Sequence, residues 1–293
     1  MTPAPNAERL LVIMLAPIRD FVLAAGQMAQ IRADNPDSHI TLLTTRPFEG
    51  LAKASGYFNF VDVGGETAGM GEWVGLVSKL RAGGFRRVCD LQDSPTSRMI
   101  VTGLSPFGPQ KMKPPPRSPS PPDMTWILKT APTERAVRGA VEKRAYAILV
   151  PGASETAPDL RWPAARYAEL GRLLQKRGLD VIIAGTSQDG DVARSIQHQA
   201  PGARDLTGGP DFARFALLAA RAAAVIGADC GLVHLAAAAG APTVVLYATP
   251  ADPAMTAPRG HVAVLQAHNI ADLPAVNVAH AVQLLSPEGV RSA

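Results

Sequence analysis

Three short stretches carry side chains whose types and spacing could do chemistry. Gly227-Ala228-Asp229-Cys230-Gly231-Leu232-Val233-His234 runs from an apolar segment into a helical one. Free backbone N–H groups and the positive end of the helix make such a junction an anion site. Gly231 lets the backbone approach a ligand closely. Asp229 and His234 add polar groups that a turn does not need, although an N-cap with a partly buried histidine would use the same residues. Pro151-Gly152-Ala153-Ser154 follows the apolar run Tyr146 to Val150. It reads as the carboxyl end of a parallel strand, where open α/β sheets bind ligands. Gly152 and the Ser154 hydroxyl could meet a phosphate there, or the segment is an ordinary strand-to-helix turn. Thr249 closes another strand in the same way, with weaker support. In Leu15-Ala16-Pro17-Ile18-Arg19-Asp20 the aspartate is either a helix N-cap or a carboxylate base aimed into a cleft.

Other chemistries lack their signatures. The chain has no G-x-G-x-x-G after a strand, no phosphate-binding P-loop, no H-E-x-x-H and no nucleophile elbow. Six histidines are scattered without metal-ligand spacing, and Cys89 and Cys230 form no metal or redox motif. Reduced thiols and a polar N-terminus unlike a signal peptide lead to the expectation of a cytoplasmic protein.

The elements that must position these residues alternate between short β-rich runs and longer helical patterns, which argues for α/β layers over mostly parallel sheets. Strands are expected at Arg9 to Leu15, Ile40 to Thr45, Phe60 to Val63 and Val88 to Leu91, with helices at Asp20 to Ala33, Phe48 to Ser55 and Trp73 to Ala82. Eight of the twenty residues from Gly103 to Pro122 are proline, so this stretch, with Lys111, Lys113 and Arg117, reads as a stiff basic loop or linker. Beyond it, strands at Tyr146 to Val150, Leu179 to Ala184, Ala224 to Gly227 and Thr243 to Tyr247 alternate with helices starting at Pro163, Asp189, Asp211 and Leu232. A last helix lies near Val276 to Leu285.

At roughly 100–200 residues per domain, 293 residues suggest two domains, and 47% hydrophobic residues suffice for two cores. No apolar run reaches the roughly 18 residues that span a bilayer. Phe212 to Gly227 is interrupted by Arg214 and Arg221. Net charge is +4, concentrated before Ala147, where 18 Lys and Arg face 13 Asp and Glu. That half could attract an anionic substrate or membrane surface. Nucleic acid is not expected, because no basic helix or aromatic stacking platform accompanies the charge.

The residues from Pro151 to Pro253 resemble glycosyltransferase family 9, the ADP-heptose:lipopolysaccharide heptosyltransferases. The matching pieces are Pro151-Gly152-Ala153-Ser154, Arg161-Trp162-Pro163, Gly185, Asp205-Leu206-Thr207-Gly208, the run Gly227 to Ala237, and Thr249-Pro250-Ala251-Asp252-Pro253. The opening pattern, Leu11 to Leu15 followed by Asp20, is also similar to the family's.

The resemblance implies a GT-B fold of two Rossmann-like domains facing across a cleft. The acceptor domain would cover residues 1–125, with 103–122 as its proline-rich loop. The nucleotide-sugar donor domain would cover 126–293, its C-terminal helix available to pack back on the first domain. It implies inverting transfer of a heptose-like sugar, with no cofactor or bound metal, to a lipopolysaccharide-core or other cell-surface glycan at the inner face of the inner membrane. Asp20 would be the base and Arg19 would lie on the acceptor side. Gly152, Ser154, Arg161, Gly185, Asp229, Cys230, Gly231 and His234 would bind the donor. Three residues depart from the family pattern: Arg19 for Gly, Leu160 for Lys, and Cys230 for Thr. They motivate the alternative of a degenerate GT-B protein that binds a nucleotide sugar or a partner without turnover. A nucleotide-sugar epimerase is disfavoured by the short chain and the missing acid/base cluster.

Overall fold

A computed structural model describes residues 7–65, 69–105, 108–118, 120–129, 145–152, 160–208, 211–249 and 251–286. The chain divides into two compact units, one of residues 1–122 with 211–213, the other of 123–210 with 214–293.

The first unit follows the order β1 (Arg9–Ile13), α1 (Ile18–Leu23), α2 (Ala25–Asp34), β2 (His39–Thr44), α3 (Glu49–Ser55), β3 (Phe60–Val63), α4 (Met70–Ala82), β4 (Arg87–Asp90), α5 (Pro95–Leu104) and β5 (Gln110–Met112). Its five strands are all parallel, in the order β3-β2-β1-β4-β5. The continuous apolar runs of β1 and β2 are buried, as parallel strands covered on both faces must be. Leu11, Ile13, Leu43 and Val88 pack under Val77 and Leu80 of α4 and Ile100, Val101 and Leu104 of α5.

The second unit continues with β6 (Tyr146–Val150), α6 (Ala164–Lys176), β7 (Asp180–Ile183), α7 (Gly190–Gln199), β8 (Arg204–Asp205), α8 (Phe212–Ala219), β9 (Ala224–Ala228), α9 (Gly231–Ala238), β10 (Thr243–Ala248), α10 (Pro253–Thr256), β11 (Val262–Ala267) and α11 (Ala275–Leu285). Six parallel strands take the order β11-β10-β9-β6-β7-β8. Both sheets therefore wind outward from their first strand and reverse between that strand and the fourth, which is the Rossmann arrangement. The reversal falls at β1/β4 in one unit and at β6/β9 in the other.

Three points differ from expectation. The first helix starts at Ile18 rather than Asp20, with Pro17 as its N-cap, and ends at Leu23; Ala24 separates it from α2. The proline-rich stretch is not all loop. Its first two residues finish α5, and Gln110-Lys111-Met112, which contain no proline, pair with β4 as an edge strand. The following prolines leave carbonyls free to accept, and Gln27 of α2 donates to Pro115 O at 2.5 Å. The helix α5 and the edge strand β11 were not anticipated at all. α11 packs within the second unit. Its Val278, Ala279 and Val282 are fully buried in the second unit's core, and Arg177 at the end of α6 donates to Ala279 O at 2.7 Å.

Candidate functional site

In the second unit, the reversal point brings two chain segments side by side. β6 pairs with β9 up to Val150 and Gly227, so Pro151-Gly152 emerges next to Asp229-Cys230-Gly231. The approach depends on Gly227. A Cβ there would lie 2.8 Å from Val150 O and 2.8 Å from Val233 Cγ1, closer than atoms can sit. Cys230 is the N-cap of α9 in extended conformation, and no side chain caps the helix. The first-turn amides of α9 therefore keep the character of an anion site.

His234, one turn into α9 and 3% exposed, meets Asp229 through Nε2 at 3.0 Å from Oδ1. The pair fixes the Asp229 carboxylate at the mouth of the turn. The Cys230 thiol is buried, and burial pushes its pKa up to about 11; the Leu232 and Val233 amides pull the other way. It is a neutral, packed group rather than a nucleophile.

On the other side of Gly152, the turn between β7 and α7 supplies a group that the sequence reading missed. Asp189 is 4% exposed. Its Oδ2 accepts from Thr186 N at 2.8 Å and Thr186 Oγ1 at 2.9 Å, and its Oδ1 stands 3.4 Å from Arg161 Nη2. A Cβ on Gly152 would come within 3.2 Å of this carboxylate, and one on Gly185 within 2.8 Å. The spacing Thr186-x-x-Asp189 is a capping box and was the available signal.

Arg161 is held from behind. Trp162 is buried, donates to Leu273 O at 3.1 Å, and packs edge-on against Tyr167 with ring centroids 4.7 Å apart. Tyr167 donates to Val150 O at 2.9 Å, which ties the start of α6 to the end of β6. Burial raises the Tyr167 pKa, so the hydroxyl remains a donor. Leu160, where the resemblance has lysine, is an exposed leucine.

Gly152, Arg161, Gly185, Asp229, Cys230, Gly231 and His234 thus all lie at the carboxyl edge of one sheet. Ser154 lies outside the described residues. Thr249 directly follows β10, and its hydroxyl meets His268 Nδ1 at 3.1 Å.

The first unit's reversal point has a different character. Leu15 N, just past β1, donates to the side chain of Gln92, just past β4, at 2.9 Å. Asp90 Oδ1 accepts from the amides of Gln92 and Asp93 at 3.0 Å each. Arg19 and Asp20 sit half-buried in the first turn of α1. Asp20 is in the helix and not its cap, so its carboxylate is not spent on capping. A separate groove of about 890 Å³ lies between α4 and α5, lined by Trp73, Val77, Arg98 and Met99 among others, on the flank of the sheet.

Comparison with known proteins agrees with this arrangement. Residues 118–282 match the model of glycosyltransferase family 9 (heptosyltransferase). Lipopolysaccharide heptosyltransferase 2 of Salmonella typhimurium is 36% identical over 116 residues, 38% of this chain and 33% of that protein. Lipooligosaccharide heptosyltransferase 2 of Haemophilus ducreyi is 33% identical over 133 residues, 43% of this chain and 38% of that one. The matched region thus spans little more than a third of these relatives. Among solved structures, E. coli ADP-heptose lps heptosyltransferase II superposes with a TM-score of 0.80 at 19% identity, covering 97% of this chain and 100% of the other. A family 9 glycosyl transferase from Veillonella parvula superposes with 0.78 at 16% identity, covering 96% and 97%. The family model covers more than half of the chain, including the reversal point of the second unit's sheet, and the chain belongs to glycosyltransferase family 9, the heptosyltransferases.

Proposed function

We propose that this protein transfers a heptose-like sugar, with inversion, from a nucleoside-diphosphate donor to a lipopolysaccharide-core or related cell-surface glycan. The observation that carries the reading is the turn at Asp229-Cys230-Gly231. Its uncapped helix start lies beside the glycine turn at Gly152, with Asp229 held by His234.

On this reading the α9 amides stabilise the charge that develops on the leaving diphosphate, without reorganising as the bond breaks. Gly152, Gly185 and Gly231 supply the room for close backbone approach. Asp20 takes the proton from the acceptor hydroxyl as that oxygen attacks the anomeric carbon, and Arg19 serves the acceptor side. ADP is the first nucleotide to try, because a solved E. coli heptosyltransferase of similar fold holds ADP. No resident metal is assigned to the reaction. No helix among the described residues is long and apolar enough to cross a membrane. A cytoplasmic protein acting at the inner face of the inner membrane, and peripherally associated with it, fits the basic first half and a lipid-linked acceptor.

The test is transfer from ADP-heptose to a core-oligosaccharide acceptor, measured beside ADP binding. Binding with transfer supports the reading. Binding with no transfer to any acceptor favours a protein that has kept its nucleotide site and lost turnover, the reading that Leu160 motivates.

A further inference from the structure

Asp189 is a buried carboxylate that the mechanism above does not use. A capping box explains only half of it. Oδ2 serves Thr186, whereas Oδ1 faces Arg161 Nη2. Capping boxes ordinarily stand in solvent, but this one is 4% exposed and lies where two strand-end turns are both glycine. A side chain at Gly185 would collide with it, and one at Gly152 would press against it. Asp189 therefore occupies space at the same turn that adjoins Asp229-Cys230-Gly231, and its charge is among those felt by Cys230.

Arg161 completes the cluster. Its side chain is one-third exposed, so the guanidinium reaches the surface beside Gly152. A guanidinium offers five donors. Nη2 is directed at Asp189, and the buried Nε has no hydrogen-bond partner among the described residues. The backbone beneath is fixed by Trp162 and Tyr167, so little side-chain freedom remains to be lost on binding.

We infer that Arg161 is the cation that meets the donor's diphosphate in this chain, and that Asp189 is the positioning residue that holds it there. This assignment rests on the donor-binding reading above. It adds that the contact depends on a carboxylate in the turn between β7 and α7.

Calorimetric titration of the full chain with ADP and, separately, with adenosine tests it. Arg161→Gln should weaken ADP by about 10- to 100-fold, the loss of a charge-assisted contact, and leave adenosine unchanged. Asp189→Asn preserves an oxygen for Thr186 and should weaken ADP several-fold, again sparing adenosine. In the Arg161→Gln background, Asp189→Asn should have no further effect on ADP, since a positioning residue acts only through the group it positions. A merely structural Asp189 would weaken both ligands and add to Arg161→Gln, and that result overturns the assignment. So does ADP binding unchanged in Arg161→Gln. A wild-type chain that binds no nucleoside diphosphate overturns the donor reading itself.

Discussion

The two sheets share one winding order and reverse at equivalent places, yet the two reversal points are furnished differently. In the second unit the strand ends are glycine turns, and the polar groups are paired around buried partners: Asp229 with buried His234, and buried Asp189 with Thr186 and Arg161. In the first unit the strand ends are joined through Gln92, and Asp20 and Arg19 are half-exposed on a one-and-a-half-turn helix. A preorganised socket suits a constant group such as a diphosphate. A lone carboxylate on an open edge suits proton transfer at an acceptor of variable shape. The turns and not the strands carry the difference between the two sheets.

Separating the two roles gives the largest effect. Asp20→Asn should lower the rate of transfer by about 10²- to 10⁴-fold while ADP affinity stays within twofold of wild type. An equal loss of both would place Asp20 with the donor and erase the contrast.

Glycine substitutions probe the packing behind it. Gly227→Ala should destabilise the fold by about 1–3 kcal/mol in urea denaturation, because the new methyl meets Val150 O and Val233. Gly75→Ala on the exposed face of α4 has nothing within 4 Å of the new Cβ and should stabilise by about 0.5–1 kcal/mol.

Alkaline stability is a smaller effect. Cys230 ionises near its ordinary 9.0 when unfolded and near 11 when folded. The unfolded state loses its proton first, so the stability contributed by this thiol is complete below pH 9 and falls away as pH rises towards 11. Melting temperature should drop less over this window in Cys230→Ala than in wild type. The smallest expected effect is none: transfer should survive exhaustive EDTA treatment, and its loss would require a metal that the account does not contain.

The legibility of the sequence followed the same divide. β6, β9 and β10 are fully buried apolar runs, so their existence and their turns could be read directly. β11 alternates exposure, as an edge strand does, and lacked any bounding motif. α5 was hidden because Pro95-Thr96-Ser97 reads as a break, although proline is well tolerated in a first helical turn and Ser94 with Ser97 forms a capping box. β5 was lost in the prolines around it. Asp229, His234 and Gly152 were legible because they sit in sequence at strand ends. Asp189 was not, since its role appears only when Gly152, Gly185 and Arg161 are brought around it by three different segments.

The most direct test of the central claim is amide hydrogen exchange with and without ADP. The account predicts protection in peptides covering Gly152, Gly185 to Asp189 and Asp229 to His234, with the peptide from Met14 to Asp20 unchanged. Protection of Met14 to Asp20 with none at Asp229 to His234 would contradict it.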